Sequence, residues 1–244
     1  MIEVLDLCKT FKKTEVVSHL NFSVKKGEVV GLLGENGAGK TTTLRMIATM
    51  LKPTSGTCNV NGFDITKSPE EVRSEIGILF GGEVGLYDRL TARENIRYFA
   101  QLNGLSKSEA DKNIEKLSEA LDMTEYIDKK VGKFSRGMKQ KVAIARSIAH
   151  NPSVMLFDEP TIGLDVTSSR VIQKFILKCK EENKTIIFSS HSMEEVEKLC
   201  DKVVIINKGK IIENCTILEL KDKYNNGNLE EVFITLIGGE NDEF

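Results

Sequence analysis

Hydrophobic positions follow different patterns in different parts of the chain. Five short segments are almost unbroken apolar runs, at residues 29–33, 76–79, 154–157, 185–189 and 203–206. Such runs are typical of strands that are covered on both faces, and helical patterns separate most of them. The sequence therefore predicts an α/β fold with a mostly parallel sheet and helices packed on it.

The N-terminal part of the chain shows a second pattern. Residues 2–7 and 20–24 alternate apolar and polar side chains, and they flank the turn-like segment FKKTE. Alternation is typical of strands that expose one face. We therefore expect a small antiparallel β layer at the N-terminus.

Residues 91–149 contain no strand pattern. Apolar side chains recur at helical spacing in 91–102 and 106–121, with Thr91 and either Ser106 or Ser108 as N-caps. This stretch predicts a helical insertion into the α/β core. We expect one domain over residues 1–244, with its core and β layer in 1–90 and 150–215, a helical subdomain in 91–149 and a short C-terminal extension in 216–244.

Composition and charge argue against several classes of protein. The chain has 244 residues, 40% of them hydrophobic, and none of its apolar runs approaches the roughly 18–20 residues that span a bilayer. Its first residues lack the positive charge and long apolar stretch of a secretion signal. A net charge of −2 gives no electrostatic basis for a nucleic-acid partner.

Cysteines add information about the compartment. Five are scattered along the chain without a C-x-x-C pair: Cys8, Cys58, Cys179, Cys200 and Cys215. This pattern predicts neither a disulfide framework nor a zinc site, and it favours reduced thiols in the cytoplasm.

A glycine-rich segment follows the first apolar run. Its sequence GENGAGKT fits the pattern G-x-x-x-x-G-K-[ST], and residues 42–50 after it form a helical pattern. Glycines let such a loop curl so that its N–H groups and the next helix N-terminus point at phosphate oxygens. Lys40 is expected to reach the β- and γ-phosphates of a bound nucleotide, and the Thr41 hydroxyl to bind Mg²⁺. The expected ATP-binding residues of this loop are Gly34, Glu35, Asn36, Gly37, Ala38, Gly39, Lys40, Thr41 and Thr42.

Two carboxylates come directly after the apolar run 154–157. Ligands of open α/β sheets bind at the carboxyl ends of the strands, which is where Asp158 and Glu159 are expected to lie. Asp158 suits a Mg²⁺ ligand, and Glu159 suits the orientation and polarisation of an attacking water. An acidic pair after a strand is also common as a solvated turn or a helix cap. The phosphate-binding loop earlier in the chain favours the catalytic interpretation.

The segment between these motifs separates this chain from most proteins with a phosphate-binding loop. FSRGM at residues 134–138, followed by a helical pattern, resembles the signature of ABC ATPases, usually LSGGQ. In that family the signature contacts the γ-phosphate that the other subunit of a dimer holds. The resemblance implies the ABC ATPase fold, with a RecA-like P-loop NTPase core, and a homodimer in which Ser135, Arg136 and Gly137 contact the partner's ATP. Arg136 stands in place of the first signature glycine, and Met138 in place of the glutamine.

Three more residues match that family in the order of its motifs. Asp165, in the segment GLD, resembles the D-loop residue at the dimer interface. His191, after a predicted strand, resembles the histidine that contacts the γ-phosphate, and it would act with Glu159 and Lys40 in catalysis. Phe11 occupies the place of the aromatic ring that stacks on adenine, although a lone Phe is more often a core residue.

The Q-loop glutamine of the family has no counterpart after the segment IGIL. Glu83 is the residue that would take over its contacts to Mg²⁺ and to the membrane subunit, although a carboxylate is not equivalent to an amide. Residues 81–90, from Gly81 to Leu90, are expected to dock that subunit. They are rich in glycine yet carry the apolar side chains of Leu86, Tyr87 and Leu90, which alternatively pack on the helical insertion.

Two segments resemble one class of transporter ATPase in particular. LFGGEVGLYDRLTARENI is similar to the NatA-type subunits of sodium exporters, and LEEVF to a segment near the end of ABC-2-type exporter ATPases. The resemblance implies a Mg²⁺-dependent ATPase that powers export, with sodium as one cargo to test, from the cytoplasmic face of the membrane through a separate membrane-spanning subunit. Two rivals are a non-transport ABC protein, which the single phosphate-binding loop and short insertion disfavour, and a non-hydrolysing switch, which Glu159 and His191 disfavour.

Overall fold

The computed structural model describes residues 1–81, 85–224 and 228–238. Within these ranges the strands are β1 (Ile2–Phe11), β2 (Thr14–Val24), β3 (Val29–Leu33), β4 (Ser55–Val60), β5 (Phe63–Asp64), β6 (Ile76–Leu79), β7 (Val154–Asp158), β8 (Thr185–Ser190), β9 (Lys202–Asn207) and β10 (Lys210–Thr216). The helices are α1 (Lys40–Ile47), α2 (Pro69–Glu75), α3 (Ala92–Leu102), α4 (Lys107–Ala120), α5 (Arg136–Ile148), α6 (Val166–Glu181), α7 (Met193–Leu199), α8 (Ile217–Tyr224) and α9 (Leu229–Gly238). None of the helices in the described ranges is both long and apolar enough to cross a bilayer.

The larger sheet has the strand order β10-β9-β3-β8-β7-β6. Neighbouring strands from β9 to β6 are parallel, and only β10 pairs in the antiparallel sense, with β9. All residues of β3 and β7 are buried, as their unbroken apolar runs predict. The predicted mostly parallel sheet is confirmed. β3 and β6 have the predicted bounds, whereas β7, β8 and β9 extend one or two residues beyond theirs.

The smaller sheet has the strand order β2-β1-β4-β5 and is antiparallel. The predicted N-terminal β layer is therefore confirmed, but it is larger than the alternation in the first residues indicates. β4 was not predicted because its sequence SGTCNV is mostly polar, and only Cys58 and Val60 are buried. Its pairing with β1, rather than its own composition, makes it a strand.

Two reciprocal N-caps begin the helices of the insertion. The Thr91 hydroxyl accepts the Glu94 N–H, and the Glu94 carboxylate accepts the Thr91 N–H. Ser106 and Glu109 repeat this arrangement at the start of α4, so Ser106, and not Ser108, is the cap. Each such box satisfies backbone donors that a helix end leaves free.

Two hydrophobic clusters cover the two faces of the larger sheet. One lies between this sheet, the smaller sheet, α1 and α2, and includes Leu32 and Leu44. The other lies between the opposite face and the remaining helices, and includes Phe157 and Phe188. Because both faces are covered, the ends of the strands are where polar ligands can approach. The loops after β3, β7 and β8 all leave from the same, carboxyl edge.

Candidate nucleotide-binding site

The phosphate-binding loop joins β3 to α1. A Cβ at Gly34 would lie 2.3 Å from the Ile206 carbonyl oxygen, so a side chain has no room there. Gly39 has a φ of 111°, which L side chains rarely adopt, and α1 begins at the next residue. The expected helix after the loop is therefore present; it begins with Lys40 and Thr41 and ends at Ile47, whereas the helical pattern in the sequence covers residues 42–50. The first N–H groups of α1 thus open into the loop.

Lys40 is buried at the centre of this loop. Its Nζ donates to the carbonyl oxygens of Gly34, at 2.7 Å, and Glu35, at 3.0 Å. Burial lowers the pKa of Lys40, and the carboxylates of Glu159 and Asp158 act in the opposite direction. Only 5% of the side chain is exposed, so the loop holds the ammonium group in a fixed position.

Thr41 and Asp158 meet across the cleft. The Thr41 hydroxyl donates to Asp158 Oδ2 at 2.8 Å, and the Ser189 hydroxyl donates to Asp158 Oδ1 at 2.6 Å. A hydroxyl and a carboxylate side by side are the hard oxygen donors that Mg²⁺ prefers, so this pair fits a Mg²⁺ ion. Ser189 was missed in the sequence, because it joins the site only through the pairing of β8 with β7.

Glu159 has an unusual backbone conformation. Its φ is 47°, in the left-handed region, which costs on the order of 1–3 kcal/mol for a residue with a side chain. Its N–H donates to the Ser189 hydroxyl at 3.0 Å, which holds the turn in place. The carboxylate Oε1 then lies 3.9 Å from Lys40 Nζ and 3.6 Å from His191 Nδ1. The structure thus brings together the three residues that the sequence identifies as catalytic.

The cleft around the loop has a volume of about 230 Å³. Its lining residues are Val16, Glu35, Asn36, Gly37, Gly39, Lys40, Thr41, Thr42 and Glu159. Val16 was missed because its β-strand position does not signal a ligand contact. Phe11 is 44% exposed at the end of β1, in the same hairpin as Val16, and Lys9 Nζ lies 5.1 Å from its ring centroid. Its predicted stacking on adenine stays a prediction.

The signature residues lie against the D-loop. Ser135 caps α5 by accepting the Met138 N–H at 3.2 Å, and Asp165 caps α6 by accepting the Ser168 N–H at 2.9 Å. A Cβ at Gly163 would lie 2.5 Å from Arg136 Nη1, so the guanidinium group covers the D-loop backbone. Gly137 packs closely on α6, because a Cβ on it would lie 2.2 Å from Ser168 Oγ. Among the described residues, the signature contributes nothing to the lining of the phosphate cleft.

The segment predicted to dock a membrane subunit is described in part. Residues 82–84, including Glu83, lie outside the described residues. The Tyr87 N–H donates to Asn95 Oδ1 at 2.8 Å, and the Asn95 amide donates back to the Tyr87 carbonyl at 3.2 Å. The Tyr87 ring is 49% exposed and packs at 5.7 Å from Tyr98 and 6.5 Å from Phe99. It therefore contacts the helical insertion and still presents an aromatic face to solvent.

Comparison with known proteins identifies the family. Residues 17–162 match a protein-family model described as ABC transporter. The ABC transporter ATP-binding protein NatA of Bacillus subtilis (strain 168) is 49% identical over 239 residues, which are 96% of this chain and 97% of that protein. The chain belongs to the ABC transporter family.

Other ABC transporter proteins match over most of the chain. The bacitracin transport ATP-binding protein BcrA of Bacillus licheniformis is 42% identical over 91% of this chain and 72% of its own length. A solved ATP-binding subunit of an ABC transporter has a TM-score of 0.88 at 29% identity and covers 97% of this chain and 99% of its own. The cassette MJ0796, solved as a dimer bound to ADP and Pi, has a TM-score of 0.81 at 26% identity over 89% of this chain and 99% of its own. The predicted ABC ATPase fold is confirmed.

Proposed function

We propose that this chain is the ATP-binding and ATP-hydrolysing subunit of an ABC exporter. The observation that carries the proposal is the single cleft in which Lys40, Glu159 and the Thr41–Asp158 pair meet at one edge of the larger sheet. Purified protein, with its permease where needed, should release phosphate from ATP in Mg²⁺ and stop when EDTA removes the metal. Binding of ATP without any phosphate release would instead make the chain a nucleotide-gated switch.

Each polar group of the cleft has its own task in the proposed reaction. Lys40 and the loop N–H groups bind the phosphates, while Thr41 and Asp158 hold Mg²⁺, which when bound neutralises charge on the phosphate oxygens. Glu159 orients the attacking water and accepts its proton. His191, whose Nδ1 lies 3.6 Å from the Glu159 carboxylate, would contact the γ-phosphate.

Two copies of the chain are proposed to enclose two ATP molecules. Ser135, Arg136 and Gly137 would contact the ATP in the partner's phosphate loop, and Asp165 would cross the interface. The position of the signature against the D-loop, and not in the chain's own phosphate cleft, supports this arrangement. It also agrees with the dimeric form in which the related cassette MJ0796 was solved.

A separate membrane-spanning subunit is the proposed second partner, and it would hold the chain on the cytoplasmic face of the membrane. Its docking surface is proposed at residues 81–90, together with the rings of Tyr98 and Phe99 that pack on Tyr87. Exposed aromatic clusters of this kind often form the energetic centre of an interface. Glu83 is proposed to replace the Q-loop glutamine within this surface.

Changing Tyr87 to Ala should weaken binding of the permease by about 30-fold, the effect of losing one interface hot spot. ATP affinity of the isolated subunit should stay nearly unchanged, because Asn95 holds the backbone of residue 87 and Tyr87 does not line the phosphate cleft. Both quantities can be measured by co-purification and by nucleotide titration. Phe63→Ala, which removes an exposed aromatic ring from β5, is the matched control. Equal permease recovery for Tyr87→Ala and wild type would place the interface elsewhere.

Export is the proposed direction of transport, and the sodium ion is the proposed cargo. The proposal rests on the resemblance of residues 79–96 and 229–233 to exporter ATPases. It also rests on the match to NatA, which covers 97% of that protein, whereas the match to BcrA covers 72% of BcrA. Affinity capture from solubilised membranes should recover the permease. When the chain and that permease are reconstituted in vesicles, sodium, but not potassium, should move across the membrane away from the side that contains ATP. Transport of another solute without sodium movement would overturn the cargo assignment.

A further inference from the structure

A hydrogen-bonded network joins helix α6 to the turn that carries His191. Glu195 on α7 accepts the Ser190 hydroxyl at Oε2, at 3.0 Å, and the Gln173 amide at Oε1, at 3.3 Å. Gln173 lies on α6, and its carbonyl oxygen accepts Lys198 Nζ at 3.0 Å. The carboxylate of Glu195 therefore bridges two helices and the last residue of β8.

Glu195 is bonded to both neighbours of His191. Ser190, which is 3% exposed, also accepts the Ser192 N–H at 3.0 Å. Ser192 in turn accepts the Glu195 N–H at 3.4 Å and so caps α7. The side chain of His191 is itself 55% exposed, so close packing holds it only weakly. The conformation of this turn, which Glu195 stabilises from both sides, therefore decides where the imidazole lies.

The same network reaches the D-loop through α6. Asp165 is the N-cap of this helix and accepts the N–H of Ser168 at 2.9 Å and its hydroxyl at 2.8 Å. Gln173 is about two helical turns further along the same helix. Since a helix moves as a rigid unit over this length, a shift of Asp165 displaces Gln173 and its partner Glu195.

We propose that Glu195 is a positioning residue for His191, and that Gln173 connects this position to the D-loop. The inference rests on the proposed ATPase function. Engagement of Asp165 by a second subunit moves α6, and the hydrogen bonds of Gln173 and Glu195 transmit that movement to the His191 turn. The histidine is then correctly placed only when the dimer has formed.

Changing Glu195 to Ala should lower kcat for ATP hydrolysis by about 10- to 100-fold, the loss typical of a catalytic group that is displaced by about 1 Å. KM for ATP should remain close to wild type, because the phosphate loop is untouched. In a His191→Ala background the same change should have no further effect on kcat, because Glu195 acts through the histidine. A merely structural role would lower kcat in both backgrounds alike.

A reciprocal exchange tests the hydrogen bonds themselves. In Glu195→Gln, an amide replaces the carboxylate that accepts the Gln173 N–H. Gln173 then has to turn its own carbonyl oxygen towards this amide, and it loses its hydrogen bond to Lys198 Nζ. Adding Gln173→Glu restores a carboxylate that accepts both the residue 195 amide and Lys198. The double variant should therefore recover most of the kcat that Glu195→Gln loses.

The control is Glu194→Gln, which removes an exposed carboxylate from the same turn and should keep wild-type kcat. Thermal unfolding must show that each variant is folded. If Glu195→Ala does not fold, the Glu195→Gln and Gln173→Glu pair still tests the hydrogen bonds. Wild-type protein that hydrolyses no ATP would refute the proposed function. If the wild type is active, three results would refute the role of Glu195. These are an unchanged kcat in Glu195→Ala, an equal loss of kcat from this change in the wild-type and His191→Ala backgrounds, and no recovery of kcat in the paired exchange.

Discussion

Replacing Lys40 by Ala is expected to weaken ATP binding by at least about 100-fold. Charge-assisted hydrogen bonds to phosphate contribute roughly 1.5–3 kcal/mol each, and one ammonium group can make two of them. Two such bonds correspond to a factor of about 100 or more in affinity. The measurement is nucleotide titration of the isolated subunit at fixed Mg²⁺ and ionic strength, because surface charge effects vary with salt.

The Lys40 variant also loses two hydrogen bonds to the backbone of the phosphate-binding loop. Removal of the side chain removes the hydrogen bonds from Nζ to the carbonyl oxygens of Gly34 and Glu35. Thermal unfolding must therefore establish that the variant is folded. Lys107→Ala, which removes an exposed charge at the start of α4, serves as the matched control and should bind ATP like wild type. A folded Lys40→Ala protein with normal ATP affinity and normal turnover would show that the nucleotide binds elsewhere.

Strands that are buried on both faces could be predicted from the sequence almost to the residue. β3 and β6 have the predicted bounds because covered strands need an apolar side chain at nearly every position. β4 could not be predicted, because only two of its six residues are buried and its partner β1 lies more than forty residues away. α1 has Gly39 as its N-cap, so Lys40 and Thr41 belong both to the phosphate-binding motif and to the first helical turn.

The motifs identified the central residues of the site but not the groups that orient them. Ser189 fixes both Asp158 and Glu159, yet its place at the end of the predicted strand 185–189 does not by itself indicate a contact with these two carboxylates. Its role follows from the alignment of β7 with β8, which come together only in the folded sheet. The contact between Arg136 and Gly163 could not be predicted either, because the two residues are distant in the sequence and come together only in the fold.

Changing Glu159 to Gln should leave ATP binding intact and slow hydrolysis by at least about 100-fold, the loss expected when a positioned base is removed. Gln has nearly the same shape as Glu, so the left-handed turn and its N–H bond to Ser189 remain. The amide still accepts a hydrogen bond but cannot take the proton of the attacking water. The first measurement is the rate of phosphate release at saturating ATP.

The same variant should accumulate as an ATP-bound dimer, because separation of the two subunits follows hydrolysis in the proposed cycle. Size-exclusion chromatography in ATP and Mg²⁺ should show a stable dimer for Glu159→Gln and only a transient one for wild type. Glu182→Gln, an exposed carboxylate just beyond α6, is the control and should behave like wild type. Wild-type turnover in Glu159→Gln would move the role of base to another group, and His191, whose Nδ1 lies 3.6 Å from the Glu159 carboxylate, would be the next to test.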